Sequence, residues 1–177
     1  MDYQSIDQIY EANGCIRESF LRTLDSLTED EITGRPEGEK WSIEQIAEHV
    51  SIVEEGMSKI CRKLLNEAKD SGLKTDGISI SDKFREYVEN LETMKFEAPE
   101  RVQPTRGQHL ADSRSKISDN DAWFETRPLF KEFDGTQAKF PHPYFGPLSA
   151  QEWLVLAGEH MRRHTGQIQK IVEKIRQ

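Results

Sequence analysis

The stretch SAQEWLVLAGEHMRRHTGQIQKI, residues 149–171, carries the two patterns that decide the fold. It begins with Ser149, followed three residues later by Glu152, which is the capping-box pattern of a helix N-terminus. Apolar residues and two histidines then recur at steps of three and four, as in an amphipathic helix. His160 and His164 share its apolar face. Both imidazoles are therefore expected in a protein core, where each needs a partner.

The quoted stretch begins the last helix of the chain, over about 149–176. Two earlier helices are predicted by the same reasoning. Apolar residues at steps of three and four predict a first helix over 4–28. Ser42 and Gln45 form a second capping box, and the helix that they begin should run to about Lys69. The Gly- and Pro-containing stretch TGRPEGEK between these two helices is typical of a loop.

A third helix of the bundle is predicted around the stretch SDNDAWFETRPLFKEFDG. Ser118 is its candidate N-cap, with Asp121 at the third helical position. Pro128 should kink it and Gly135 should end it. Four aromatic side chains are its core candidates, namely Trp123, Phe124, Phe130 and Phe133.

About 48 residues, 70–117, connect the second predicted helix to the third. SDKFREYVENLETM, residues 81–94, is a short amphipathic piece, whereas APERVQPTRGQHLADSR, residues 98–114, has no period. Connections of this length commonly cover a functional site. A crossover of this kind also frees a bundle from strict up-down-up-down order.

Composition narrows the class of protein. The chain has 177 residues, 32% of them charged, with a net charge of −8 and no apolar run long enough to span a membrane. We expect a single all-α domain over 1–177 that is cytoplasmic and binds neither nucleic acid nor membrane, because nucleic-acid binders usually carry clustered basic residues. Cys15 and Cys61 form no C-x-x-C pair and are interpreted as reduced, mostly buried thiols.

The paired histidines permit two interpretations. They could be satisfied by hydrogen bonds, or they could hold a divalent metal, which would need a third ligand. His49 is the candidate, because it lies at the edge of the apolar stripe of the second helix. His109 is interpreted as a loop residue and His142, between two prolines, as a local structural residue.

Neighbouring polar residues refine this site. HMRRH lacks the glutamate of the H-E-x-x-H motif of zinc proteases. Glu48 and Glu159 adjoin two of the histidines but should point roughly 100° away around their helices, towards solvent or at most an outer shell. Gln167 lies on the face of His164 and could orient that imidazole or a substrate, or could be a packing amide. Asn13 in the first stripe could be a satisfied buried amide or a polar group facing a site.

Two stretches resemble the DinB-like (YfiT-like) superfamily: WSIEQIAEHV, residues 41–50, and FPHPYFGPLSAQEWLVLAGEHMRRHTGQIQKI, residues 140–171. FEAPERVQP and ETRPLF also look like features of that family. The resemblance implies a four-helix bundle of up-down-down-up order. It also implies a divalent metal held by His49, His160 and His164. Family members with assigned chemistry use low-molecular-weight thiols such as bacillithiol or mycothiol as cosubstrates.

Three imidazoles leave metal positions open, which is the pattern of catalytic rather than structural sites. Such a site can activate a water or hold a thiol as thiolate. Zinc or nickel is the first candidate, and iron, manganese or copper also suits such ligands. Three hypotheses follow: a metal-dependent thiol S-transferase or hydrolase acting on small molecules, a metal- or ligand-binding bundle without turnover, and a bundle without metal. The resemblance also suggests a homodimer.

Overall fold

The computed structural model describes residues 2–91, 93–94, 96–105, 107–119 and 121–177. These residues form seven α-helices, a short 3-10 turn over Glu100–Val102 and one antiparallel hairpin. None of the described helices is long and apolar enough to cross a bilayer. The helices are α1 (Ile6–Asp25), α2 (Glu29–Thr33), α3 (Ile43–Asp70), α4 (Asp82–Glu89), α5 (Leu110–Ser118), α6 (Asp121–Glu132) and α7 (Ala150–Ile175), and the strands are β1 (Lys139–His142) and β2 (Gly146–Ser149).

Capping boxes begin the two longest helices where the sequence predicts them. The Ser42 N–H donates to Gln45 Oε1 at 3.1 Å, and the Gln45 N–H donates back to Ser42 Oγ. At the start of α7 the Ser149 N–H donates to Glu152 Oε2 at 2.9 Å, and the Glu152 N–H donates back to Ser149 Oγ. Each pair satisfies N–H groups that the first turn of a helix leaves free. The predicted boundaries of both helices are thereby confirmed to within a residue or two.

The contacts between α3 and α7 show that these helices are antiparallel. The His49 ring, near the start of α3, meets His160, which is beyond the middle of α7. Cys61, twelve residues further along α3, donates its thiol proton to the carbonyl of Ala150, the first residue of α7. Moving forward along one helix thus moves backward along the other.

The contacts of α6 with α3 and α1 fix the remaining directions. Along α3, Glu54 meets Trp123 and Arg62 meets Glu125, so α3 and α6 run in the same direction. Along α1, Asp7 pairs with Arg127, whereas Tyr10, further along, bonds the carbonyl of Trp123. Helices α1 and α6 are therefore antiparallel. The order is up-down-down-up, as the family resemblance implied.

The predicted third helix is observed as α6, but its start differs from the prediction and an additional helix, α5, precedes it. Ser118 is the last residue of α5 and not the N-cap of the following helix. The sequence 98–114 shows no apolar period, but α5 begins within it at Leu110. Helix α5 buries only Ser113 and Ile117, so it has no apolar stripe by which it could be recognised. The prediction that α4 lies within 81–94 is confirmed.

Phe124 was expected in the core and is 65% exposed, which makes that prediction wrong. The inward face of α6 is formed by Trp123, Thr126 and Phe130, at steps of three and four, so the residue after Trp123 must point outward. Phe133, just beyond the helix, is buried as predicted.

Three smaller features were also mispredicted or unforeseen. Cys61 is buried as expected, but Cys15 is exposed. The short helix α2 was not foreseen, although Thr28 and Glu31 form a capping box for it. The β1–β2 hairpin, whose four residue pairs lie just before α7, was not foreseen within the all-α fold.

Asn13 joins α1 to α7 at a point of close approach. Its Nδ2 donates to the Leu154 carbonyl at 2.8 Å, so the amide nitrogen bonds the backbone of α7. Its Oδ1 lies so close to Gly158 that a Cβ at that position would be only 2.1 Å away. Glycine at 158 is thus what lets the two helices meet.

We expect Gly158→Ala to destabilise the protein by about 1–3 kcal/mol in urea unfolding, because the new methyl group overlaps the Asn13 amide. Alanine favours a helix over glycine by about 1 kcal/mol, so in an Asn13→Ala background the same change should become stabilising. Gly166→Ala is the matched control, since nothing lies within 4 Å of a Cβ there. A loss of stability that persists without the Asn13 side chain would contradict the proposed overlap.

Candidate metal centre

Three histidines from two helices bring their ring nitrogens together in the bundle. His49 projects from α3, and His160 and His164 project from one face of α7. His160 Nε2 lies 3.2 Å from His49 Nε2 and 3.2 Å from His164 Nε2. One ligand atom from each residue lies within 4.8 Å of the other two. The structure thus places together the three residues that the sequence suggested, although 111 residues separate the first two.

The outer nitrogens of two of these rings are held by hydrogen bonds. His49 Nδ1 lies 2.7 Å from the Val102 carbonyl oxygen, and His164 Nδ1 lies 2.9 Å from Gln167 Oε1. Both partners are acceptors, so each Nδ1 carries the proton and donates it. The Nε2 atom of each ring is then left with a lone pair directed towards His160.

Hydrogen bonds alone do not satisfy this cluster. If His160 Nε2 carries a proton, it can donate to only one of the two facing lone pairs. His160 Nδ1 is buried and has no hydrogen-bond partner among the described residues. A divalent ion would accept all three Nε2 lone pairs at once, so the donor set fits a metal.

Burial keeps the three imidazoles in the neutral form that binds metals. Loss of solvation lowers the pKa of His49 below its ordinary value, although the bond to Val102 opposes this. Burial also lowers the pKa of His164 to about 3 and places that of His160 well below its usual range. The neighbouring histidines lower the His160 pKa further. Protonation to the imidazolium therefore opposes metal binding less than it would at exposed histidines.

Solvent exposure, one of the two alternatives expected for the glutamates next to the histidines, is wrong, because both side chains are buried. Glu48 is 2% exposed, and its Oε1 accepts hydrogen bonds from the backbone N–H and the hydroxyl of Thr105. Glu159 is buried and paired with Arg162 at 2.5 Å. Glu48 thus holds the loop at Thr105, and Glu159 holds Arg162 on its own helix. Neither of these bonds is to a histidine.

The remaining histidines do not belong to the group of three converging rings, although His142 lies near enough to His160 to help lower its pKa. His142 Nδ1 accepts from the backbone N–H groups of Tyr144 and Phe145, and its ring stacks on Phe145 with centroids 4.4 Å apart. Burial, and secondarily Arg101, lowers the pKa of His142 to about 4. The His109 side chain is 88% exposed at the start of α5.

Three neighbours of the cluster were not foreseen from the sequence. The Val102 carbonyl belongs to a segment without periodicity, and no pattern marks a backbone acceptor. The Trp41 ring lies 4.9 Å from that of His49, and in the sequence Trp41 is marked only by its place before the capping residue Ser42. Arg163 lies between His160 and His164 in sequence, and this adjacency is the signal from which its place near the cluster could have been predicted.

Comparison with known proteins agrees with this architecture. A solved structure described as TT2238, a four-helix bundle protein, superposes with a TM-score of 0.60 at 19% identity, covering 92% of this chain and 96% of that one. A protein of Bacillus subtilis (strain 168) described as uncharacterized protein YuaE is 26% identical over 155 residues, which are 86% of this chain and 90% of that protein. The sequence profile of the DinB superfamily matches residues 16–168. The chain therefore belongs to the DinB superfamily.

Proposed function

We propose that the three histidines hold a divalent metal ion and that the protein is a metal-dependent enzyme acting on small molecules. The reaction proposed first is transfer of a low-molecular-weight thiol to an electrophile, and the related alternative is hydrolysis. The observation that carries the proposal is the convergence of three Nε2 atoms, two of them with lone pairs fixed by hydrogen bonds at Nδ1. Zinc and nickel are the first candidates, ahead of iron and manganese.

A bound ion would supply Lewis acidity that favours the deprotonated form of a thiol or water at an open position. In the transfer reaction the thiol sulfur bonds to the electrophilic carbon, the leaving group departs with its electron pair, and the thiol proton passes to solvent. The chain offers no free carboxylate next to the histidines in sequence, since Glu48 is bonded by Thr105 and Glu159 by Arg162. Chemistry that needs no protein base is therefore favoured.

The chain's own contribution is orientation and exclusion of water. Val102 and Gln167 fix the planes of two imidazoles, in the manner of the outer partners of metal-binding histidines. The Trp41 ring packs beside His49. His49 and His164 are only 5% and 7% exposed, so reactive groups there are shielded from bulk solvent.

The same burial supports a second candidate, a metal-binding bundle without turnover, because a closed site gives substrates little access. Metal analysis and turnover together distinguish the candidates. We expect about one equivalent of metal per chain after growth with added zinc, nickel and iron. The loaded protein should then accelerate loss of free thiol in mixtures of small thiols with an alkylating electrophile, relative to His160→Ala. Metal without turnover favours the binding bundle, and absence of metal refutes both.

Gln167 gives a separate test of the proposed metal site. Gln167→Leu removes the acceptor of the His164 Nδ1 proton, so the imidazole loses its fixed plane. We expect metal affinity in a competitive chelator titration to fall about 10- to 100-fold, as is usual for outer partners of ligands. Gln167→Glu keeps an acceptor oxygen and should retain most of the affinity. Equal affinity of Gln167→Leu and the unaltered protein would show that Gln167 only packs.

A further inference from the structure

Residues 96–105, which we call the strap, are part of the long connection 70–117 and pack against the proposed metal site. The Val102 carbonyl in the strap accepts the His49 Nδ1 proton at 2.7 Å. Because His49 and His164 are almost fully buried and His160 is only partly exposed, a metal ion or substrate reaches all three rings more readily when a covering segment moves. The strap touches the proposed ligand His49 directly, as does the Trp41 ring, which packs beside the same histidine.

One end of the strap is anchored in an aromatic cluster. The Phe96 ring lies 4.9 Å from that of Tyr144 and 5.6 Å from that of Phe145. The guanidinium of Arg163, between two of the histidines on α7, lies 5.0 Å from the Phe96 ring centroid. Tyr144 Oη also bonds the backbone of Glu97, accepting from its N–H at 3.1 Å and donating to its carbonyl at 2.5 Å. Several independent contacts would have to break together to free this end.

The other end, at Thr105, is held to α3 by one carboxylate, and the chain beyond it returns to α3 through the Gln108 amide and the Leu110 N–H. The Thr105 N–H and hydroxyl both donate to Glu48 Oε1, at 2.8 and 2.5 Å. Glu48 precedes His49 on α3, so this clasp lies directly beside a proposed ligand. Glu48 also lines a cavity of about 320 Å³, and Thr105 itself is exposed. Water in the cavity can therefore replace Thr105 at the carboxylate, which makes release of this end inexpensive.

We infer that Glu48 is a positioning residue whose clasp with Thr105 keeps the strap closed, and that release of the clasp admits metal and substrate to the histidines. The inference rests on the proposed function, because it assumes that a metal binds there. The aromatic end acts as the hinge and the Thr105 end opens. Opening also carries the Val102 carbonyl away from His49, so the site exchanges its ion in the open form.

A gate of this kind has a kinetic signature. As long as the closed form predominates, a weaker clasp raises the rates of metal entry and release in the same proportion. The dissociation constant of the metal then stays unchanged, because binding and release of the ion both pass through the same open form of the protein. A residue that merely orients a ligand has a different effect, since its loss speeds release alone and weakens binding.

Thr105→Val is the most direct test, because it removes the hydroxyl donor, keeps the backbone N–H and leaves both ligand helices untouched. Uptake of Co²⁺ and its release to excess EDTA are followed by the visible absorption of the bound ion. We expect both rates to rise about 10-fold or more, as loss of a hydrogen bond to a charged acceptor predicts. Glu48→Leu should have a larger effect, and Glu48→Gln, which keeps an acceptor oxygen, a smaller one.

Ser81→Ala is the matched control. The Ser81 N–H and hydroxyl also donate to one carboxylate oxygen, that of Glu152, at 3.2 and 2.5 Å. That clasp ties the same long connection to α7 eight residues before His160, so its loss should leave both rates unchanged. Unchanged rates in Thr105→Val, or faster release with a weaker dissociation constant, would overturn the gate. If the unaltered protein takes up no Co²⁺, the proposed function fails and the gate falls with it.

Discussion

Purified His49→Ala protein is expected to contain almost no metal, although His160 and His164 remain on their helix. Two imidazoles four residues apart bind divalent ions weakly, whereas the third Nε2, 3.2 Å from that of His160, completes the proposed set. The loss in affinity should exceed the about 10- to 100-fold that removal of an outer partner costs. Elemental analysis and a chelator titration measure it.

His160→Ala and His164→Ala should behave like His49→Ala, because each removes one of three equivalent lone pairs. His109→Ala serves as the control, since its side chain is 88% exposed and away from the cluster. The equivalence of His49 with the α7 histidines is the discriminating result, because adventitious binding by the α7 pair alone would not depend on α3. Full metal occupancy in His49→Ala would refute the three-histidine site.

The long helices could be predicted because their signals are local. Capping boxes at Ser42 and Ser149 and apolar stripes at steps of three and four depend only on residues within one helix. The start of the third bundle helix was harder to predict, because its local signals are weak or ambiguous. Helix α5 buries little, and Ser118 fits an N-cap pattern as well as a helix end, so packing against α3 decided the outcome.

The histidine cluster was foreseen because both helices that carry it have a recognisable apolar face. Its surroundings were not, because they are supplied by backbone and loops. The Val102 carbonyl and the Thr105 N–H are atoms that every residue possesses, so no side-chain pattern marks them. Glu48 was assigned to solvent or at most an outer shell from its angle on α3, since the sequence does not show that the strap would return to cover it.

Elsewhere in the bundle, a buried ion pair joins α1 to α3, and breaking it should strongly destabilise the protein. Arg17 on α1 and Glu54 on α3 are paired at 2.6 Å, with side chains 12% and 9% exposed. Glu54 Oε2 also accepts from Trp123 Nε1 at 3.1 Å. Arg17 Nε and Glu54 Oε1 are buried without a partner among the described residues, so the pair is incompletely satisfied. Burial raises the pKa of Glu54 in spite of Arg17.

We expect Arg17→Met to destabilise the protein by about 3–5 kcal/mol in urea unfolding, because it leaves the Glu54 carboxylate buried without a counter-ion. Adding Glu54→Gln should restore most of the loss, since the amide is neutral and still accepts from Trp123. Arg114→Met removes one partner of an exposed pair with Asp25 and should change stability little.

The pH dependence of Arg17→Met separates lost charge pairing from lost packing. Without Arg17 the Glu54 pKa in the folded state should rise further above its unfolded value. The Glu54 carboxyl is then buried most easily in its protonated form. The free energy of unfolding of Arg17→Met is therefore retained at low pH and lost as pH rises through the folded-state pKa of Glu54. Relative to Arg17→Met/Glu54→Gln, which cannot titrate at this position, the deficit of Arg17→Met should shrink as pH falls. A deficit that is independent of pH would mean that Arg17 stabilises the bundle by packing alone.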